Sequence, residues 1–200
     1  MIKGNNLTKI IFATGNAGKL QEVKKIFENS EYEIISPTDL GNVVEVEETE
    51  NTFEGNAFLK AEAVYNQFKL PVMADDSGLE IDQLQGRPGV LSARYAGENC
   101  TYDDNNDKVI KELEPLAKPY TARFISCAVY YDGAARLSAL GKLEGKIISE
   151  KRGTNGFGYD PIFVPKDSDK TLAEMTLDEK NSISHRYKAF NELKTMLLKI

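Results

Sequence analysis

Hydrophobic positions along the chain change period between its two halves. Ile10–Ala13 form a short apolar run that reads as a buried strand, and Leu20, Val23, Ile26 and Phe27 then recur at helical spacing. Ile34 and Ile35 predict a second strand. Beyond the acid-rich stretch VVEVEETEN, a second helical pattern runs through Phe53, Ala57, Ala61, Val64 and Phe68. LPVMADDSGLEI predicts a buried strand that runs into a turn at its acidic residues. GRPGVLSARYAG is punctuated by glycine and proline and predicts loop. Thr101 opens a polar helical segment that ends near Leu113.

From Thr121 the period falls to two. Ala122, Phe124, Ser126, Ala128 and Tyr130 alternate with more polar neighbours, as in a half-buried antiparallel strand, and ARLSALGKLEGKIISEKRG continues as strands. Thr176 and Glu179 have capping-box spacing, after which Ile183, Tyr187, Phe190, Leu193 and Leu197 predict one closing amphipathic helix. No repeat, low-complexity tract or linker divides the chain. The pattern therefore predicts a single α/β domain over residues 1–200, built on a mixed sheet, with two lobes flanking a cleft.

Composition narrows the function classes. With 31 acidic and 25 basic side chains the net charge is -6, which disfavours a broad nucleic-acid surface. It does not disfavour a small phosphorylated ligand, because a local lysine cluster plus a divalent cation holds a triphosphate inside an acidic protein. Cys100 and Cys127 are the only cysteines, which argues against a disulfide framework and fits a reducing cytoplasm. No apolar run approaches the roughly 18–20 residues that span a bilayer. MIKGNNLTKIIFATGN has too short an apolar core for a signal peptide. The expectation is a cytoplasmic protein with neither nucleic acid nor membrane as a partner.

Between the first strand and the first helix lies Thr14-Gly15-Asn16-Ala17-Gly18-Lys19. A Walker A loop needs four residues between its first glycine and the Gly-Lys pair, with Ser or Thr next. Here Asn16 and Ala17 alone separate Gly15 from Gly18, and Leu20 follows Lys19, so the loop is not of that type. The Rossmann glycine pattern also fails. The general physics remains: backbone N–H groups at a helix N-terminus favour an anion, Lys19 adds charge, and Thr14 and Asn16 add donors. A plain strand-loop-helix turn with a surface lysine is the competing reading.

Asp75, Asp76, Ser77 and Gly78 follow the apolar VMA, where ligands bind in α/β sheets. Asp-Ser-Gly also forms ordinary turns. Two adjacent aspartates after a buried strand call for a cation. His185 is the only histidine, so no zinc or iron set exists, and oxygen ligands favour magnesium or manganese. A second acid is available at Glu45, Glu47, Glu48 or Glu50.

TGNAGKLQEV, TFEGNAFLKA, MADDSGLEIDQLQGRPGVLSARYAG, GFGYDPIF and LAEMTLDEKNSISHR occur in the order and approximate spacing of the inosine triphosphate pyrophosphatase family, which the chain resembles from Ile10 to Arg186. The resemblance implies an elongated central mixed sheet with helices, and two lobes flanking a nucleotide-binding cleft. It implies magnesium-dependent hydrolysis of deaminated purine nucleoside triphosphates (ITP, dITP and XTP) to the monophosphate and pyrophosphate, by a homodimer. Carried over residue by residue, it assigns Thr14, Gly15, Asn16, Ala17, Gly18 and Lys19 to the triphosphate, with Lys60 reinforcing them. Asp76 is then the general base and a magnesium ligand, with Glu48 the second acid. Ser77 touches substrate. Phe157, Gly158, Tyr159 and Asp160 line the base pocket, Phe157 by stacking and Asp160 by hydrogen bonding, while Lys180, His185 and Arg186 read the purine. Many members carry Glu where this chain has Gly55, and neither Gly55 nor the adjacent Glu54 is assigned as a ligand. Two competing functions remain: a related enzyme with another base preference, and a nucleotide-binding regulator without turnover.

Overall fold

Among the described residues six strands form one sheet in the order β2-β1-β3-β4-β5-β6. They are β1 (Thr8–Phe12), β2 (Tyr32–Ile35), β3 (Val72–Ile81), β4 (Tyr120–Tyr131), β5 (Arg136–Ile147) and β6 (Phe163–Pro165). The computed structural model describes residues 7–41 and 46–200, so Glu45 lies outside the described residues. β1 pairs in parallel with both β2 and β3, with Ile10 opposite Ile34 and Ile11 opposite Val72, whereas β5 and β6 are antiparallel. The sheet is mixed, as the change of period predicts. Among the described residues five α-helices accompany it: α1 (Ala17–Ile26), α2 (Phe53–Phe68), α3 (Tyr102–Leu113), α4 (Leu177–Ile183) and α5 (His185–Leu197).

Side-chain caps start these helices; the one at Thr176 is expected, whereas Asn16, expected as a donor to an anion, accepts as a cap instead. Asn16 and Thr52 accept from the backbone N–H groups of Lys19 and Gly55, at 3.1 Å in each case. Thr101 with Asp104, and Thr176 with Glu179, close reciprocal capping boxes at α3 and α4.

Two compact units divide the chain. The first takes the described residues of Met1–Asp76 together with Cys127–Leu140 and Ala189–Ile200; the second takes Ser77–Ser126 and Gly141–Lys188. In the first unit the strands are covered on both faces. Ile10 and Phe12 pack with Val23 and Phe27 of α1 and with Phe190 and Leu193 of α5. Ile11 and Ala13 face the other way, onto Ala57, Ala61 and Val64 of α2. Phe190 is the keystone of the first layer, edge-on to Phe12 at 5.3 Å and to Phe27 at 6.4 Å. The core of the second unit gathers Leu79 and Ile81 of β3, Val109 and Leu113 of α3, Leu143 and Ile147 of β5, and Phe163 of β6.

Four expectations change. β3 does not turn at its acids but continues as one strand from Val72 to Ile81. β4 is not half-buried, since Ile125, Cys127 and Val129 are buried as fully as the alternating set. In the first unit Ala128 and Tyr130 serve one layer while Cys127 and Val129 serve the other. The closing helix is two helices. Ser184 stands between them with φ -64 and ψ 153, and its hydroxyl accepts from the N–H of Tyr187 at 3.0 Å. The Gly/Pro-rich segment predicted as loop contains one short 3-10 helix, Gly89–Arg94. Among the described residues no helix is long and apolar enough to cross a membrane.

Phe190→Ala is expected to lower the unfolding free energy by about 3–5 kcal/mol in urea titrations, because a fully buried ring leaves a cavity that its neighbours only partly fill. A loss under about 1 kcal/mol would mean that this layer repacks freely.

Candidate active site

Strand periodicity explains the two consecutive acids. Met73 belongs to the layer containing α1, and Ala74 to the layer containing α2. Two residues further on, the alternation sends Asp75 towards α1 and Asp76 towards α2. Each meets a lysine there. Asp75 Oδ1 lies 3.1 Å from Lys19 Nζ, with the Asp75 side chain only 1% exposed. Asp76 Oδ1 lies 3.7 Å from Lys60 Nζ, and its Oδ2 accepts from Asn56 Nδ2 at 3.2 Å.

Lys60 also reaches Glu48 Oε1 at 2.8 Å, so the carboxylates of Glu48 and Asp76 converge on a single cationic nitrogen. Burial alone pulls the Lys60 amine down, yet Asp76, Asp75 and Glu48 outweigh it and hold the amine above its ordinary value. Burial lifts the Asp76 carboxyl above the usual range. Lys60 and Lys19 work against that lift, and Glu48 and Asp75 with it. Among the described residues no group of three or more His, Cys, Asp or Glu side chains is arranged as a metal centre. The converging pair is nevertheless an all-oxygen donor set, the kind that hard cations complete with phosphate oxygens.

Asn56 is the residue that sequence reasoning missed. It is 1% exposed on the first turns of α2, and besides touching Asp76 it clasps the backbone of Glu50. The Glu50 N–H donates to its Oδ1 at 2.9 Å, and its Nδ2 donates to the Glu50 carbonyl at 3.1 Å. One amide thus ties the acidic loop to the helix that supplies Lys60. A buried polar residue on an apolar helix face was the available signal. Glu47 and Glu50 are exposed, and Glu54 is exposed beside Gly55. A Cβ on Gly55 would lie 2.8 Å from Glu50 Cβ, so any side chain there displaces this loop.

The glycine loop runs from β1 into α1. Its polar side chains order the loop itself: Asn16 N–H donates to Thr14 Oγ1 at 3.1 Å, and Asn16 Oδ1 caps the helix. Gly15 is exposed, and no heavy atom lies within 4 Å of where its Cβ would be. The first-turn N–H groups of α1, with Gly15, Ala17, Gly18 and Lys19 around them, form an open anion-favouring end. Cys127, in the same unit, is inert. Burial first, then Glu54, Asp76 and Asp75, push its thiol up to about 12, far from the thiolate range.

In the second unit the residues from Phe157 to Arg186 come together. Asp160 is buried, and its Oδ2 takes Lys180 Nζ at 2.6 Å and the Phe157 N–H at 2.9 Å. Lys180 Nζ stands 4.6 Å from the centre of the half-buried Phe157 ring, and the Arg186 guanidinium 5.7 Å from it. Arg186 Nη2 donates to Ser77 Oγ at 3.3 Å. The Gly158 carbonyl accepts from Asn106 Nδ2 at 3.1 Å. Tyr159 is packed in the core, its hydroxyl donating to the Ser92 carbonyl at 2.8 Å, and burial raises that hydroxyl above its ordinary range. His185 is buried and lies flat against Phe124. The residues expected on the phosphates and acids therefore gather in the first unit, and those expected on the base in the second.

A fold with strands between helical layers, a capped glycine loop and a buried carboxylate–lysine cluster defines a class, and comparison gives it a family. The chain belongs to the Ham1 family, matching it over residues 10–196. It is 50% identical over 193 residues to a protein of Bacillus subtilis named dITP/XTP pyrophosphatase, covering 96% of this chain and 98% of that one. A protein of the same name from Thermoanaerobacter pseudethanolicus is 46% identical over 194 residues, covering 96% and 97%. Among solved structures, a HAM1 protein from Coxiella burnetii superposes with a TM-score of 0.88 at 39% identity, covering 97% of this chain and all of that one. The Ham1 protein of Staphylococcus aureus gives 0.85 at 39% identity, covering 96% and 99%. The motif-based resemblance and the whole-chain comparisons lead to the same family.

Gly156 and Gly158 provide a contrast that tests the second cluster. Both have positive φ, +75 and +63, but a Cβ at 156 would fall 2.0 Å from Asp160 Oδ2 whereas one at 158 meets nothing within 4 Å. Gly156→Ala should therefore cost about 2–4 kcal/mol by displacing a charged hydrogen-bond acceptor, against about 1–2 kcal/mol of backbone strain for Gly158→Ala. Equal losses in urea titrations would show that the carboxylate contact is not what demands glycine at 156.

Proposed function

We propose that this chain is a nucleoside triphosphate pyrophosphatase that hydrolyses deaminated purine nucleotides (ITP, dITP and XTP) to the monophosphate and pyrophosphate. The observation that carries the reading is the buried cluster in which Glu48 and Asp76 converge on Lys60 while Asp75 holds Lys19. The names of the relatives from Bacillus and Thermoanaerobacter support the substrate class.

Phosphoryl-group hydrolysis mostly requires positioning and neutralisation of charge. The α1 N-terminus and Lys19 bind the outer phosphates, and Lys60 adds a second amine beside the acids. Asp76 orients the attacking water and takes its proton as the water oxygen bonds to the α-phosphorus. The bond from that phosphorus to the bridging oxygen breaks, and pyrophosphate leaves with the electron pair, stabilised by the two lysines. Glu48 and Asp76 would hold magnesium together with phosphate oxygens, in keeping with their oxygen donors. When bound, that ion offsets phosphate charge and makes water a stronger nucleophile.

Base choice follows from donor chemistry in the second unit. Arg186 and Lys180 carry only donors, and Asp160 and Ser77 hold them in place. A purine 6-oxo group accepts from such donors, whereas the 6-amino group of adenine leaves them facing another donor. Phe157 offers the ring face for stacking.

Incubation with inosine, xanthosine and adenosine triphosphates plus magnesium should release pyrophosphate from the first two. Orthophosphate as the product would overturn the bond assignment, and absence of any product would favour a binding protein. Asp76→Asn should lower kcat by at least about 100-fold while nucleotide affinity, measured by calorimetry, stays within a few-fold of wild type. Near-normal turnover in that variant would remove Asp76 from the role of base.

A further inference from the structure

We infer that Tyr102 forms a second aromatic wall of the base pocket, so that the purine lies between its ring and that of Phe157. The inference rests on the reading that the base stacks on Phe157, and deepens it by naming a further residue that touches the purine.

Tyr102 is the first residue of α3, directly after its N-cap Thr101. A bulky ring at this position adds nothing to the cap and is only a modest helix former. The residue is 48% exposed, so it does not serve the core either. Its ring stands beside Phe157 instead, with 6.3 Å between centres and 39° between planes. That is neither the edge-on contact of Phe12 with Phe190, at 86°, nor a close parallel stack. The two planes diverge. Stacked bases take up about 3.4 Å per layer, so a purine held between two rings sets them roughly 7 Å apart. The observed separation falls a little short of this, and an exposed side chain supplies the difference by a small, fast rotation.

The start of α3 is fastened to the segment that carries Phe157. Asp103 and Asp107 both pair with Lys151, the second at 2.6 Å, and Asn106 Nδ2 donates to the Gly158 carbonyl at 3.1 Å. Lys151 precedes Phe157 in the chain and Gly158 follows it directly. The helix end that bears Tyr102 is therefore tied on both sides of Phe157. Such a pair of rings divides recognition with the polar groups. Lys180 and Arg186 address the purine edge, where the 6-oxo group distinguishes one base from another, whereas a ring face is blind to that substituent. The aromatic pair adds affinity for any purine and leaves the choice among purines to the donors.

Tyr102→Ala should raise KM for inosine and xanthosine triphosphates by one common factor, roughly ten-fold, with kcat unchanged, as loss of uniform binding by stacking requires. Tyr102→Phe keeps the ring and should stay within about two-fold of wild type. An unchanged KM in Tyr102→Ala, or an equal loss in Tyr102→Phe, would overturn the proposal. Phe157→Ala separates the two levels of inference. If it raises KM while Tyr102→Ala does not, the second wall fails and the base site stands; if it leaves KM unchanged, the base does not lie on that ring and both fail. Proton NMR distinguishes contact with the base from support of the helix. The H2 and H8 signals of inosine monophosphate should move upfield on binding to wild type and to Tyr102→Phe, and less far at saturation with Tyr102→Ala. Equal shifts at saturation in all three proteins would overturn the contact. Should Tyr102→Ala not fold, Tyr102→Leu, which keeps apolar bulk without a ring face, decides by the same KM and the same shifts.

Discussion

Two consecutive carboxylates buried in the middle of a strand are the constraint on which the first unit is built. An unpaired carboxylate taken out of water costs several kcal/mol, so β3 can continue through Asp75 and Asp76 only if each finds a cation. Strand alternation sends them to opposite layers, and each layer answers with its own helix: α1 brings Lys19 and α2 brings Lys60 with Asn56. The glycine loop is part of the same solution. Asn16 starts α1 three residues before Lys19, which brings that amine to Asp75 and turns the first-turn N–H groups outward.

The second unit repeats the logic in a different form. Asp160, also buried, holds Lys180 and the backbone of Phe157, and the absence of a side chain at Gly156 makes room for its carboxylate. One acid thus orders an aromatic ring and a cation against each other, a pairing suited to a flat ligand with oxygen acceptors on its edge. In both units the charged groups are held by partners before any ligand arrives, which is how electrostatic stabilisation avoids reorganisation during reaction.

Much of this was legible in the chain itself. Buried apolar runs and helical spacing locate β1, α1, α2 and β4, Thr101 marks the opening of α3, and the capping-box spacing of Thr176 and Glu179 marks that of α4. Asp-Asp-Ser-Gly read as a turn because its local propensity is that of a turn; only the lysines of two helices distant in sequence make it strand. The division at Ser184 was hidden because Ile183 and Tyr187 keep helical spacing across the break, while the hydroxyl that caps α5 resembles any other serine. Asn56 escaped for a related reason. It reads as a filler of its helix, and the side-chain contact that distinguishes it is made 20 residues away in sequence.

On the proposed reading, the acid–lysine cluster directs water to the innermost phosphorus. Hydrolysis of inosine triphosphate in water enriched in oxygen-18, with both products analysed by mass spectrometry, shows which phosphorus the water attacks. The heavy oxygen is predicted in the monophosphate alone. Its appearance in the pyrophosphate would place the attack on another phosphorus and contradict the role given to Asp76 and its neighbours.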